Sequence, residues 1–76
     1  MITVKLYGLL RITSGIKEKQ VSAATVNEVL DRLADYGIDR KDLKGCVIYV
    51  NGKNANRRSK LTDGDSVVLM SPVAGG

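Results

Sequence analysis

Thr25-Val26-Asn27-Glu28-Val29-Leu30-Asp31-Arg32-Leu33-Ala34-Asp35-Tyr36-Gly37 carries the clearest structural instruction in the chain. Thr25 with Glu28 three residues later is capping-box spacing, so a helix opens at Thr25. Val26, Val29, Leu30, Leu33 and Ala34 then recur at helical intervals and form one apolar stripe. Asp31, Arg32 and Asp35 lie off that stripe. Gly37 is placed to close the helix in the left-handed conformation. A helix with a single apolar stripe needs a partner surface, and the flanking segments supply one.

On the amino-terminal side, Met1–Tyr7 alternates Ile2, Val4 and Leu6 with Thr3, Lys5 and Tyr7, the period of a half-buried strand. Between Gly8 and Gly15 a turn is expected, with Ser14-Gly15 at its tip; Leu9, Leu10 and Ile12 argue that this stretch packs on the body. Residues 16–22 read as a second strand, and Lys17, Glu18 and Lys19 suit a sheet edge, where charge discourages pairing with other chains. These two strands are expected to form a hairpin. On the carboxyl-terminal side, Asp39–Lys44 suggests a short helical turn. Cys46–Val50 has the β-branched and aromatic composition of an interior strand. Asn51-Gly52 signals a tight turn, and Thr62-Asp63-Gly64-Asp65 signals another. Ser66–Met70 is the last strand, and Pro72 stops regular pairing.

The order is therefore strand, strand, helix, strand, strand. Neither one helix nor a four-stranded sheet buries its apolar face alone, and packing the helix across one sheet face solves both problems. The expected architecture is α+β, a β-grasp: a four-stranded mixed sheet with one main helix on one face. The strand after the helix is expected beside the first strand and parallel to it, through a right-handed crossover. Residues 1–70 form the expected domain, and residues 71–76 a flexible tail ending in Gly75-Gly76.

Composition narrows the chemistry. The chain has 76 residues, no histidine and one cysteine. The commonest general base is missing, a zinc site cannot be assembled and no internal disulfide can form. No glycine-rich phosphate loop is present. An independent enzyme and a resident metal or cofactor are not expected. The lone cysteine points to a reducing, cytoplasmic setting. No apolar run approaches the roughly 20 residues of a membrane span, and no signal peptide is expected, since Met1–Tyr7 alternates rather than forming a continuous apolar stretch. The net charge of +4 permits acidic partners.

Four pieces of the sequence together resemble a known family. They are Val4-Lys5-Leu6-Tyr7-Gly8-Leu9-Leu10-Arg11, then Thr25-Val26-Asn27-Glu28-Val29-Leu30, then Val50-Asn51-Gly52, and finally Leu61-Thr62-Asp63-Gly64-Asp65 with Pro72-Val73-Ala74-Gly75-Gly76. The chain is similar to the ubiquitin-like sulfur carriers of the MoaD/ThiS family, and most of all to MoaD, the small subunit of molybdopterin synthase. The last piece is the most specific, since it sets turn, strand, proline and terminal diglycine at fixed spacing. Two departures stand out: MoaD proteins usually carry Pro-Pro where this chain has Ser71-Pro72, and they often have phenylalanine near the first strand, where this chain has none.

The resemblance implies that Gly76 is where covalent chemistry happens. Its carboxylate is a poor electrophile, but it can attack the α-phosphate of ATP. A sulfur donor then displaces AMP from the acyl-adenylate and leaves a thiocarboxylate. The chain is on this view a co-substrate: no cofactor is bound permanently, and ATP is used by the activating partner. Implied partners are an adenylating, ubiquitin-activating-like enzyme, a sulfur-accepting synthase large subunit and a sulfur donor. Glycine at the end lets the tail thread a channel that a β-carbon would block, and Pro72, Val73, Ala74 and Gly75 are the threading residues. Two terminal glycines arise by chance in roughly half a percent of chains. Two alternatives stay open: a ubiquitin-like modifier joined to protein lysines, and a ThiS-type carrier serving thiamine thiazole synthesis. A plain β-grasp interaction module is a third reading.

Strand parity suggests where partners dock. With Val67 and Leu69 facing the helix, Val68 and Met70 face out. With Cys46, Ile48 and Val50 inward, Val47 and Tyr49 face out, and Tyr7 joins them. An apolar patch on the open sheet face beside the tail exit is a candidate docking face. Lys53, Arg57, Arg58 and Lys60 read first as a solvated basic loop; Arg57 and Arg58 are also candidate contacts for an acidic partner surface or a nucleotide phosphate. Nucleic-acid binding is not expected, because no aromatic residues interleave these charges. Cys46 reads as a small buried apolar residue, and Asp63, Gly64 and Asp65 as turn formers.

Overall fold

A computed structural model describes residues 1–71 of the chain. The elements are β1 (Ile2–Tyr7), α1 (Leu9–Ser14), β2 (Glu18–Val21), α2 (Val26–Asp35), α3 (Arg40–Lys44), β3 (Val47–Val50), β4 (Lys53–Asn54) and β5 (Ser66–Met70). They build the expected β-grasp, with a mixed sheet in the order β2-β1-β5-β3-β4.

The helix that organises the fold begins as its sequence dictates. The Thr25 Oγ1 accepts the Glu28 N–H at 3.3 Å, and the Glu28 carboxylate reaches back to accept the Ala24 N–H at 3.1 Å. Two further N–H groups of the first turn, on Val26 and Asn27, donate to the carbonyls of Ser59 and Arg57 at 3.0 and 2.9 Å. The loop between β4 and β5 is thus strapped across the start of α2, and the donors that a helix start leaves free are satisfied. At the other end Gly37, with φ 97°, donates to Ala34 O, and Ile38 donates to Leu33 O while burying its side chain, the paired bonds of a Schellman closure.

The core lies between α2 and one sheet face. Val26, Val29, Leu30 and Leu33 of α2 meet Ile2, Val4 and Leu6 of β1, Val21 of β2, Ile48 of β3, and Val67 and Leu69 of β5. Leu10, Ile38 and Leu43 close its rim. Each fully buried side chain of this size contributes about 1.5–3 kcal/mol. Strand parity is as read from the sequence: Val67 and Leu69 point in, and Met70 points out.

Four expectations need correction. The sheet has five strands, because Lys53–Asn54 folds back on β3 with Tyr49 opposite Asn54 and Val50 opposite Lys53; two residues carry too little pattern to be read as a strand. The parallel partner of β1 is β5, not the strand after the helix, and β3 runs antiparallel to β5 on its far side. The stretch after Gly8 is not a simple hairpin turn but helix α1, closed by Gly15, whose N–H donates to Arg11 O at 3.0 Å. The second strand spans Glu18–Val21 and is shorter than residues 16–22, though it does lie at the sheet edge, antiparallel to β1. The short helical turn near Asp39–Lys44 is present as α3, capped by the Asp39 carboxylate, which accepts the Lys41 N–H at 2.8 Å. Among the described residues no helix is long and apolar enough to cross a membrane.

Candidate functional site

β5 runs through the middle of the sheet, and its carboxyl end delivers the chain to Ser71. The terminal residues Pro72, Val73, Ala74, Gly75 and Gly76 lie outside the described residues. What the structure defines is the root from which they continue. There, register sets three outward side chains in a row across three strands: Tyr7 pairs with Met70, and Met70 pairs with Val47. All three are exposed. The next outward row runs Lys5, Val68, Tyr49, and each is half-buried. Tyr7, Val47, Tyr49, Val68 and Met70 are therefore brought together on the open sheet face, contiguous with the tail root.

Helix α1 enlarges this surface. It starts two residues after Tyr7 and packs on the ends of β1 and β5, held by fully buried Leu10. Leu9 and Ile12 sit on its outer side, and Ile12 is 77% exposed. Of the seven large apolar residues exposed in the described chain, five (Tyr7, Leu9, Ile12, Val47 and Met70) gather at this end. An apolar concentration of that kind marks an interaction surface more often than chance exposure does. Leu9 and Ile12 are absent from the sequence-derived site because residues 8–15 read as a loop. Their signal is the i, i+3 spacing bracketed by Gly8 and Gly15, visible only once the segment is taken as one helical turn and a half.

The basic pair Arg57 and Arg58 is not part of this cluster. Arg57 lies against the helix side of the molecule, where its guanidinium donates to the carbonyls of Leu43 and Lys44 at 3.2 and 2.7 Å. It closes the carboxyl end of α3, where a cation is favoured. Arg57 also borders a basin of about 300 Å³ with Leu30, Arg40, Lys41, Leu43 and Lys44. A neighbouring hollow is lined by Ile48, Asn56, Arg57 and Arg58.

The remaining reactive groups are occupied structurally. The Cys46 thiol donates to Leu43 O at 2.9 Å. Burial pushes its pKa up, and Arg57 offsets this only in part, so the thiol stays protonated and unreactive at neutral pH. Asp65 accepts the Thr62 N–H at 2.8 Å and the Asn51 side-chain amide at 3.0 Å. These bonds hold its carboxyl below the usual carboxylate range, and Asn51 in turn accepts the Ser66 N–H at 3.0 Å. The acidic turn thereby ties the end of β3 to the start of β5. Among the described residues no group of His, Cys, Asp and Glu could hold a metal ion.

Comparison with known proteins gives a consistent picture. A family model described as the ThiS family matches residues 4–76. No curated protein gives a significant match. Several solved structures are similar over nearly the whole chain. The small archaeal modifier protein 1 (SAMP1) from Methanosarcina acetivorans is 29% identical, with TM-score 0.80, covering 99% of this chain and 95% of that one. A chain of the BexX/CysO complex from Amycolatopsis orientalis is 27% identical, with TM-score 0.80 and full coverage, 100%, of both. A chain of the complex of subunits 1 and 2 of molybdopterin-converting factor from Helicobacter pylori is 25% identical, with TM-score 0.73, covering 99% and 97%.

Proposed function

This chain belongs to the ThiS family of ubiquitin-like carriers, and on that premise we propose that it is a sulfur carrier acting through Gly76, with molybdopterin biosynthesis as its pathway. The Gly76 carboxylate attacks the α-phosphorus of ATP in a partner enzyme, pyrophosphate leaves, and an acyl-adenylate forms. A sulfur donor then attacks the acyl carbon and expels AMP, leaving a thiocarboxylate for a sulfur-accepting synthase subunit. The chain is a co-substrate in this scheme. Binding to the adenylating partner supplies orientation, and the partner's cations and Mg²⁺ supply charge stabilisation. Pro72, Val73, Ala74 and Gly75 are the residues that thread the partner's channel.

The observation that carries this reading is the placement of the tail root. Ser71 follows the central strand at the end where exposed apolar side chains gather. A partner that covers Tyr7, Leu9, Ile12, Val47 and Met70 has the start of the tail at its own surface. Tyr49 and Val68 extend the same contact across the sheet. The likeness to a chain of the molybdopterin-converting factor complex supports the choice of pathway and of a protein partner. The test is an intact-mass measurement after incubation with an adenylating enzyme, MgATP and a sulfur donor. One oxygen-for-sulfur exchange at the carboxyl terminus is expected, and its absence with every adenylating enzyme of the host organism overturns the proposal.

The likeness to an archaeal modifier protein favours one second reading, a modifier linked through Gly76 to lysines of other proteins. Both outcomes pass through the same adenylate, and capture by an amine gives an amide instead of a thiocarboxylate. Peptides carrying Gly76 in isopeptide linkage, recovered from cell extracts, distinguish it. A ThiS-type role in thiazole formation is separated by which auxotrophy follows deletion of the gene.

A further inference from the structure

We propose that Ser71 is a positioning residue for the carboxyl-terminal reaction, holding the root of residues 72–76 at a fixed point beside the apolar rim. The proposal rests on the reading that Gly76 is adenylated.

Ser71 is the one buried polar side chain among the described residues, 7% exposed. A buried hydroxyl needs a partner, and this one has it 61 positions away in the chain: Ser71 Oγ accepts the Leu10 N–H at 3.0 Å. The Ser71 N–H donates to Tyr7 O at 3.4 Å. Between these two contacts lies Gly8, at φ 70°, so close that a β-carbon there would stand 2.7 Å from Ser71 O and 2.9 Å from Ser71 Oγ. Three positions in four consecutive residues, Tyr7, Gly8 and Leu10, are thus shaped around Ser71.

The bond to Leu10 has a specific local meaning. The first turn of α1 has free N–H groups, and Gly8 at its start has no side chain to cap them. Ser71 Oγ supplies the missing acceptor from the far end of the sequence, as an N-cap serine does from within its own helix. Through its hydroxyl and its backbone N–H, Ser71 therefore joins three things: the amino end of α1, the end of β1 and the root of the tail. Loss of the hydroxyl removes the side-chain anchor between α1 and the tail root and leaves Ser71 held only by its N–H bond to Tyr7 O, while the sheet and α2 keep all their contacts.

The consequence falls on the encounter with the adenylating partner. A tail whose root is already fixed has one residue fewer to order on entering a channel. Freeing that residue should weaken productive binding about tenfold, the factor that corresponds to ordering one backbone position. Once the tail is seated, the partner sets the geometry of the carboxylate, so kcat stays within about twofold and the change appears in KM.

The test measures pyrophosphate release by the host's own adenylating enzyme with MgATP, varying the concentration of the full chain. Wild type is compared with Ser71→Ala, with Ser71→Thr, which keeps the acceptor oxygen, and with Val21→Ala. Val21 is buried opposite Ile2, at the end of β1 remote from Tyr7, and this variant controls for lost stability alone. Amide exchange at Leu10 reports whether the bond has gone. Ser71→Ala is expected to speed Leu10 exchange and raise KM about tenfold, with Ser71→Thr near wild type and Val21→Ala unchanged in KM. Faster Leu10 exchange with a wild-type KM overturns the role of Ser71 and leaves the adenylation reading intact, as does an equal KM rise in Val21→Ala. A wild-type chain that is not adenylated at all overturns both.

Discussion

Replacing Gly8 with alanine should be the most damaging single-methyl change in the described chain, and its cost can be worked out against an internal control. Gly8 sits at φ 70°, ψ −144°, a region that residues with a β-carbon scarcely enter. Forcing alanine there costs of order 1–3 kcal/mol. The added carbon also meets Ser71 O at 2.7 Å and Ser71 Oγ at 2.9 Å, distances that require Ser71 to move. Moving it breaks the Leu10–Ser71 bond and leaves a buried N–H without an acceptor, a further cost of about 1–3 kcal/mol. Gly15 is the control: it lies at φ 73°, ψ 6°, in the ordinary left-handed region, and a β-carbon there meets nothing within 4 Å. Gly15→Ala should cost only about 1 kcal/mol. Gly8→Ala should therefore destabilise the protein by about 2–6 kcal/mol in urea unfolding, with an unchanged m-value. A domain of this size has about 4–11 kcal/mol in total, so the midpoint shift will be large. Equal losses for the two variants would show that the close approach of Gly8 and Ser71 does not exist in solution.

Three further outcomes follow from the same geometry. Ile12→Lys, at a site 77% exposed, should change stability by less than about 0.5 kcal/mol while lowering affinity for the proposed adenylating partner at least tenfold in titration calorimetry; unaltered affinity would remove α1 from the contact surface. Arg57→Ala strips two carbonyls of α3 of their charged donor and should cost about 1–2 kcal/mol by denaturant titration, and Arg57→Lys should restore only part of it, because one ammonium does not reproduce the planar guanidinium. The lowered pKa of Asp65 means that the unfolded chain takes up its proton more readily than the folded one. Its stabilising effect is therefore complete above the ordinary carboxylate range and fades as pH drops through the lower folded value. Thermal melts across that acid range should show a steeper decline for wild type than for Asp65→Asn.

The parts of this protein that were legible in the sequence are those written in local pattern. The capping box and apolar stripe of α2 lie within a dozen residues, and strand alternation names the buried face of β1 and β5 whatever their neighbours. The outward set Tyr7, Val47 and Met70 follows from that alternation alone, and the structure aligns the three in one row. Arg57 shows the opposite case. Its charge reads as a surface feature, yet its guanidinium is taken up by carbonyls of a helix thirteen residues away in sequence, a pairing that no local pattern announces.

The chain's own order of residues determined the helix α2 and the strands β1, β3 and β5, which side of each is apolar, and that a proline and two glycines follow the last strand. Tertiary structure decided the rest: that β5 and not β3 lies beside β1, that two residues suffice for β4, and that residues 9–14 coil into α1. A helix of six residues has too few internal bonds to repay its own ordering. It exists because Leu10 is buried in the core and because an oxygen on Ser71 arrives from the other end of the chain to cap it. Contacts between distant positions carry no periodic trace in a sequence, and so they become visible only when the sheet has closed.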